Sequence, residues 1–136
     1  GNVAQKFHVR DGFETSFTFT ISDCTGSDCT CASTPCKVAG FAFIIQDDSV
    51  TARGGAASAL GYEGILSAVA IEFDGIQDLS ESDPTWSHIS YHRSSGAGQP
   101  ISAVETTTGS NSYTDQTKTI NMSPGQSHTI RIQYLP

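Results

Sequence analysis

The feature that most constrains this chain is the spacing of its apolar residues, which recur with a period of two. Between positions 13 and 22, Phe13, Phe17, Phe19 and Ile21 occupy odd positions, whereas the even positions hold only Glu, Ser and Thr. A strand that packs one face on a core and leaves the other in water has this alternation. No stretch has the periodicity of an amphipathic helix. The sequence therefore predicts an all-β chain.

The predicted strands are short and follow one another along the whole chain. After the first, at 13–22, the candidates are 38–46, 67–74, 88–92, 101–107, 116–121 and 127–134. The segment 38–46 is apolar on both parities, as expected of a central strand that is covered on both sides. The segment 47–64 contains Gly54, Gly55 and Gly61 and predicts a long surface loop. The pattern as a whole predicts one antiparallel β-sandwich domain over residues 1–136.

The charge balance bears on possible partners. Lys and Arg number seven against 14 Asp and Glu, which gives a formal net charge of −7. Because affinity for nucleic acid comes mainly from basic side chains, we expect no nucleic-acid partner and regard metal cations as more natural ones. No apolar stretch approaches the length of a membrane span. No signal peptide is present at Gly1, and we expect a secreted mature form to have lost one.

Cysteine usage indicates the compartment. Four cysteines lie in one segment rich in Ser, Thr, Gly and Asp: Cys24, Cys29, Cys31 and Cys36. They indicate two disulfides in an oxidising compartment; zinc binding is the less favoured alternative, because no second Cys/His cluster accompanies them. Asn121 begins an Asn-Met-Ser sequon and is a candidate N-glycosylation site. These features predict a secreted or cell-surface glycoprotein.

The most informative segment is 72–88, in which five acidic residues, four of them candidate ligands, precede a histidine. Glu72 and Asp74 are two apart on a predicted strand, so both side chains project from one face. Asp78 and Asp83 lie in the loop, and His88 returns beside the first strand if the two strands form a hairpin. Two divalent cations would neutralise the four converging carboxylates.

The ligand types in this segment indicate two different ions. Calcium prefers oxygen ligands, and four are available: Asp74, the carbonyl of Ile76, Asp78 and Asp83. A second site would consist of Glu72 and His88 together with Asp74 and Asp83, which it shares with the first. This mixed oxygen and imidazole site suits manganese or a similar transition metal.

Two other readings of the acidic residues remain open. In the first, the acids belong to a solvated surface loop, since exposed carboxylates are the rule. Glu72 and Asp74 could also imitate the acid/base pair of a glycosidase, but metal neutralisation explains the pair better. No Ser/His/Asp arrangement, nucleophile elbow or reactive cysteine stands out. We therefore expect a binding protein and not an enzyme.

The segment resembles the metal loop of the legume-lectin, or L-type lectin, family, which has the form E-x-D-x-aromatic-x-N, then Asp, commonly Pro, and then His. Residues at the matching places are Glu72, Asp74, Asp78, Asp83, Pro84 and His88. The resemblance extends to the blocks 12–21, 40–46, 59–65, 69–74 and 125–134. It implies a concanavalin-like jelly-roll sandwich that is incomplete at both ends, with Ca²⁺ and a second ion such as Mn²⁺.

The same resemblance indicates where a sugar would bind. The three positions that usually contact the monosaccharide in the family correspond to Ala39, Ser58 and Asp78, and Gly40 follows the first of them. Ile76 occupies the place of the usual aromatic platform. Ala39 lacks the carboxylate of the family Asp, and Asp78 lacks the amide donor of the family Asn. Two aromatic residues nearby, Tyr62 and Trp86, are further candidate sugar contacts.

The sequence thus predicts a calcium-dependent extracellular carbohydrate-binding module, with glycans or glycoproteins as partners. The alternative is a structural or adhesive module that keeps the fold and the metal site without ordinary sugar recognition. In that case we expect homo-oligomers or filaments formed through open sheet edges.

Overall fold

The computed structural model describes residues 8–21, 40–56, 59–85, 87–104, 112–114, 120, 122 and 125–136. The elements that lie wholly within these residues are a short 3₁₀ helix at Val9–Asp11 and six strands: β1 (Phe13–Thr20), β2 (Phe41–Gln46), β3 (Ala68–Asp74), β4 (His88–Arg93), β5 (Ser112–Thr114) and β6 (Ser127–Tyr134). The strands form two antiparallel sheets, with the orders β1-β6 and β2-β3-β4-β5. The predicted all-β antiparallel sandwich is therefore confirmed.

An aromatic layer holds the two sheets together. Phe19 of β1 meets Phe41 of β2 edge to face, with ring centroids 4.8 Å apart. Phe41 in turn stacks on Phe73 of β3 at 4.8 Å. Phe17 contacts Phe43 in a stacked arrangement at 6.3 Å. Edge-to-face and offset contacts are the arrangements that aromatic rings prefer, so this layer is the central contact between the sheets.

The layer between the sheets is only partly closed by the described residues. Phe73 is buried, whereas the inward-facing side chains of β1, β2 and β6 are half-buried. A cavity of about 390 Å³ lies between the sheets, bounded by Ile71 and Ile89 on one side and by Ile130 and Ile132 on the other. A larger cleft of about 1190 Å³ opens beside Phe13, Phe43 and Val69.

The most deeply buried core lies on the other face of the four-stranded sheet. Its members come from the glycine-rich loop, from β3 and from the segment after β4: Ala59, Tyr62, Ile65, Ala68, Ala70, Ile101 and Ala103. Alternation along β3 and β4 places their even-numbered residues on this face. The predicted metal ligands on β3 therefore point into the best-covered part of the molecule.

Some predicted elements differ from the structure. Residues 101–104 form no strand, although one was predicted at 101–107; the only isolated bridge among the described residues pairs Leu66 with Pro100. Ile101 and Ala103 are apolar because they cover the sheet face, and this produces an alternation like that of a strand. β5 was not predicted, because three residues are too few to show a period. The 3₁₀ helix at Val9–Asp11 was also not predicted. The strand expected at 116–121 lies almost wholly outside the described residues.

The apolar strand β2 is covered on both faces but is not central among the described strands. Phe41 and Phe43 face β1, while Ala42 and Ile44 pack against the buried core. In the described sheet β2 lies at one end, and β3 and β4 are the inner strands. Both faces of β2 therefore make packing contacts, as predicted, but among the described strands β2 is not the central one. Within the described part of the chain, no helix is long and apolar enough to cross a bilayer.

Candidate metal centre

The β3–β4 hairpin brings two carboxylates and one imidazole together. β3 and β4 pair antiparallel with Asp74 opposite His88, so the hairpin predicted from the sequence is confirmed. One potential ligand atom from each of Glu72, Asp74 and His88 lies within 4.8 Å of the other two. The three residues are 3%, 5% and 1% exposed, respectively. Two carboxylates buried this close together need compensating partners, and a cation is the simplest one.

The backbone at Asp74 is fixed from two sides. Its Oδ1 accepts a hydrogen bond of 2.8 Å from the backbone N–H of Ile76, which begins the loop after β3. On the other side Gly40 packs against the same backbone. A Cβ at Gly40 would collide with the carbonyl oxygen of Phe73 and would lie 2.9 Å from the Asp74 Cα. Gly40 is therefore required for the close approach of the chain to the site.

A buried network positions Glu72. The hydroxyl of Tyr62 donates a hydrogen bond of 2.5 Å to Glu72 Oε2. The same oxygen lies 3.4 Å from Nε2 of His92. His92 is held in turn, because Nδ1 lies 3.0 Å from the carbonyl oxygen of Ser102 and Nε2 lies 2.9 Å from Oγ of Ser90. Since a carbonyl only accepts, Nδ1 carries the proton in this bond.

The loop after β3 is organised by two of the predicted ligands. Asp83 Oδ2 accepts a 2.7 Å hydrogen bond from the backbone N–H of Asp78. Asp78 Oδ1 accepts bonds from the backbone N–H and the hydroxyl of Ser80, at 2.8 and 2.6 Å. The group whose ligand atoms lie within 4.8 Å of one another contains Glu72, Asp74 and His88 and does not include Asp78 or Asp83. Their acidic side chains shape the loop beside that group.

Negative charge extends beyond the compact group. Partial burial raises the pKa of Glu81, and the neighbouring carboxylates of Glu63 and Asp78 raise it further, while His92 lowers it. Glu63 belongs to the glycine-rich loop, whereas Asp78 and Glu81 belong to the loop after β3. The two loops therefore bring acidic side chains near each other, and the local field favours a cation.

The donor atoms define what the compact group can bind. Two carboxylates and an imidazole are a mixed oxygen and nitrogen set, which suits first-row transition metals and zinc. Calcium takes oxygen ligands and would need further donors from the loop. The residues present fit a metal ion, and their chemistry does not single out which one. A bound ion would neutralise the carboxylates and tie the end of β3 to the start of β4.

The residues predicted to contact a sugar differ in how exposed they are. Tyr62 is completely buried, so it has no surface to offer a sugar and instead supports Glu72. Gly40 and Asp78 are half-buried near the metal group, and the Ile76 side chain is exposed. The remaining predicted site residues lie outside the described residues: Ala39, Ser58, Trp86, the four cysteines and Asn121.

Sequence reasoning missed the roles of two residues near Glu72. His92 shares its parity on β4 with His88, so its position on the metal face was visible in the sequence. Tyr62 could not be linked to Glu72 in this way, because their contact depends on how the loop folds over the sheet.

Neither a scan against protein-family models nor searches of curated proteins and of solved structures find a match for this chain. The class of protein established by the fold and the site is an all-β antiparallel sandwich with a buried Glu-Asp-His group that could hold a metal ion.

Proposed function

We propose that this chain is a divalent-metal-dependent carbohydrate-binding module of the L-type lectin kind that acts outside the cell. The observation that carries the proposal is the convergence of Glu72, Asp74 and His88 at one end of a hairpin. The order and spacing of these residues match the metal loop of that family. A metal ion at this position fixes the neighbouring loop, and the loop in turn shapes the binding surface.

The proposed ions are manganese, or a similar transition metal, and calcium. Glu72, Asp74 and His88 supply the mixed donor set for the first ion. Calcium would take oxygens from Asp74, the Ile76 carbonyl, Asp78 and Asp83. Oxygens of Asp78 and Asp83 already accept loop hydrogen bonds, but each carboxylate has further lone pairs for a cation.

The proposed sugar surface lies beside the metal group. Asp78 supplies acceptor oxygens there, and the exposed Ile76 side chain supplies an apolar patch where the family places an aromatic ring. Because Gly40 has no side chain, the backbone at this position lies close to Asp74. Ala39, Ser58 and Trp86 join this surface on the sequence resemblance alone.

A glycan array tests the recognition claim. The protein is applied with Ca²⁺ and Mn²⁺, with excess chelator, and as the Asp74→Asn variant with both ions. Asn keeps an oxygen that can accept the Ile76 N–H bond and removes the negative charge. We expect glycan binding only for the wild type with ions. Uniform absence of binding in all arms would remove carbohydrate recognition from the proposal.

A second function, as a self-assembling structural or adhesive module, is favoured by the layer between the sheets, which the described residues close only in part. Inward-facing residues of β1 and β6 are only half-buried, and a cleft of about 1190 Å³ opens at one side. Apolar surface of this kind is a candidate for covering by further strands. Sedimentation over a range of concentrations tests this function. A monomer at high concentration that binds free sugars would rule it out.

A further inference from the structure

The glycine-rich loop is locked by its own backbone hydrogen bonds. The N–H of Gly54 donates to the carbonyl of Gly61, and the N–H of Gly61 donates to the carbonyl of Gly55, both at 2.9 Å. The N–H of Gly55 reaches the carbonyl of Glu63, also at 2.9 Å. Gly61 has a φ of 83°, a left-handed conformation that favours glycine. These bonds fix the backbone on both sides of Tyr62, so a change at Tyr62 would disturb them.

Tyr62 lies between Gly61 and Glu63, whose carbonyls accept two of these bonds, and its side chain connects the loop to the metal group. A Cβ at Gly54 would collide with the backbone of Tyr62, so the two segments are packed at the closest possible distance. The Tyr62 ring is completely buried, and its centroid is 5.4 Å from that of the His92 ring. Its hydroxyl ends 2.5 Å from Glu72 Oε2.

We propose that Tyr62 is a positioning residue that couples the order of the glycine-rich loop to metal occupancy at Glu72, Asp74 and His88. This inference rests on the proposed metal binding. A metal ion fixes the position of the Glu72 carboxylate, and the carboxylate then holds the Tyr62 hydroxyl. Because the Tyr62 backbone packs against Gly54, the loop segment that carries Gly54 is held as well. Coupling between two sites is reciprocal, so an ordered loop also strengthens metal binding.

A purely structural role for Tyr62 makes different predictions. If Tyr62 only fills the core, removal of its hydroxyl changes packing little and leaves metal affinity unchanged. Outer partners that orient a metal ligand typically contribute about ten- to a hundredfold to metal affinity. The Tyr62→Phe variant separates these roles, because it removes the hydroxyl and keeps the ring.

The experiment combines Mn²⁺ titration by calorimetry with amide hydrogen exchange read residue by residue with fragmentation mass spectrometry, because paramagnetic Mn²⁺ broadens the NMR signals of nearby amides. The proteins are the wild type, Tyr62→Phe and the control Tyr91→Phe. Tyr91 lies on β4 and projects from the opposite face of the sheet, where it is half-buried. We expect Tyr62→Phe to weaken Mn²⁺ binding about ten- to a hundredfold and Tyr91→Phe to leave it unchanged. In the wild type, Mn²⁺ should slow exchange of the Gly54, Gly55 and Gly61 amides.

The outcomes distinguish this inference from the proposed function. A wild type that binds no Mn²⁺ overturns the proposed manganese site, and the coupling with it. A wild type that binds Mn²⁺ without slower exchange at Gly54, Gly55 and Gly61 overturns the coupling alone, and this arm needs no variant. Equal Mn²⁺ affinity of Tyr62→Phe and the wild type also overturns the coupling alone.

Discussion

His88 stands directly opposite Asp74 in the β3–β4 ladder, and both side chains lie on the buried face that Glu72 shares. The two residues are 14 positions apart in the sequence, and the intervening loop carries three further acidic residues, Asp78, Glu81 and Asp83. Closing the hairpin therefore assembles the candidate ligands and positions the loop in one step. This relationship makes the metal hypothesis testable by single substitutions.

Substitution of the imidazole should weaken metal binding. His88→Gln removes a nitrogen donor from the group and leaves two carboxylates, so we expect Mn²⁺ affinity to fall by at least about tenfold. Calorimetric titration measures the change. His8→Gln is the matched control, because His8 is exposed and lies outside the hairpin. Equal affinities of the wild type and His88→Gln would remove His88 from the site.

Any side chain at Gly40 should destabilise the fold, because the chain at this position lies very close to the end of β3. Gly40→Ala places a methyl group against the Phe73 carbonyl and the Asp74 backbone. We expect a loss of about 1–3 kcal/mol in the free energy of unfolding, as for other overpacked positions. Gly96→Ala is the control, because the nearest atom to its Cβ is Gln99 Cγ at 3.9 Å. Urea denaturation of both variants tests this, and similar stabilities would contradict the packing described around Asp74.

The aromatic layer should carry much of the stability of the sandwich. Phe73 is 1% exposed and contacts rings of both sheets. Phe73→Ala should therefore cost about 3–5 kcal/mol in the free energy of unfolding. Leu79→Ala, at a position that is 80% exposed, should change it by less than about 0.5 kcal/mol. Chemical denaturation gives both values, and a loss below about 1 kcal/mol for Phe73→Ala would place the core elsewhere.

Local periodicity was sufficient to predict much of the fold. Alternation in β1, β3, β4 and β6 placed these strands to within a few residues, because each has one covered face. The same alternation predicted that Glu72 and Asp74 share a face and that His88 returns beside them. These are properties of neighbouring residues on a strand or across one hairpin.

Features that depend on distant parts of the chain could not be predicted in this way. The segment that contains Ile101 and Ala103 has the alternation of a strand, but it forms no strand and its apolar side chains pack on a face of the sheet. Tyr62 was assigned to a sugar surface, because a sequence pattern does not show which loop side chains turn inward. The residue spacing and the resemblance to L-type lectins both indicated the expected metal ligands, whereas the loop hydrogen bonds of Asp78 and Asp83 came only from the structure.

The most direct test of the account is a thermal melting measurement of the wild type and Asp74→Asn, each with excess chelator and with saturating Mn²⁺ and Ca²⁺. An ion that binds only the folded chain at a hundred times its dissociation constant adds about 2.7 kcal/mol to the free energy of unfolding. We predict a rise in the melting temperature of several degrees for the wild type with ions and little change for Asp74→Asn. Identical melting of the wild type with chelator and with ions would contradict metal binding at Glu72, Asp74 and His88.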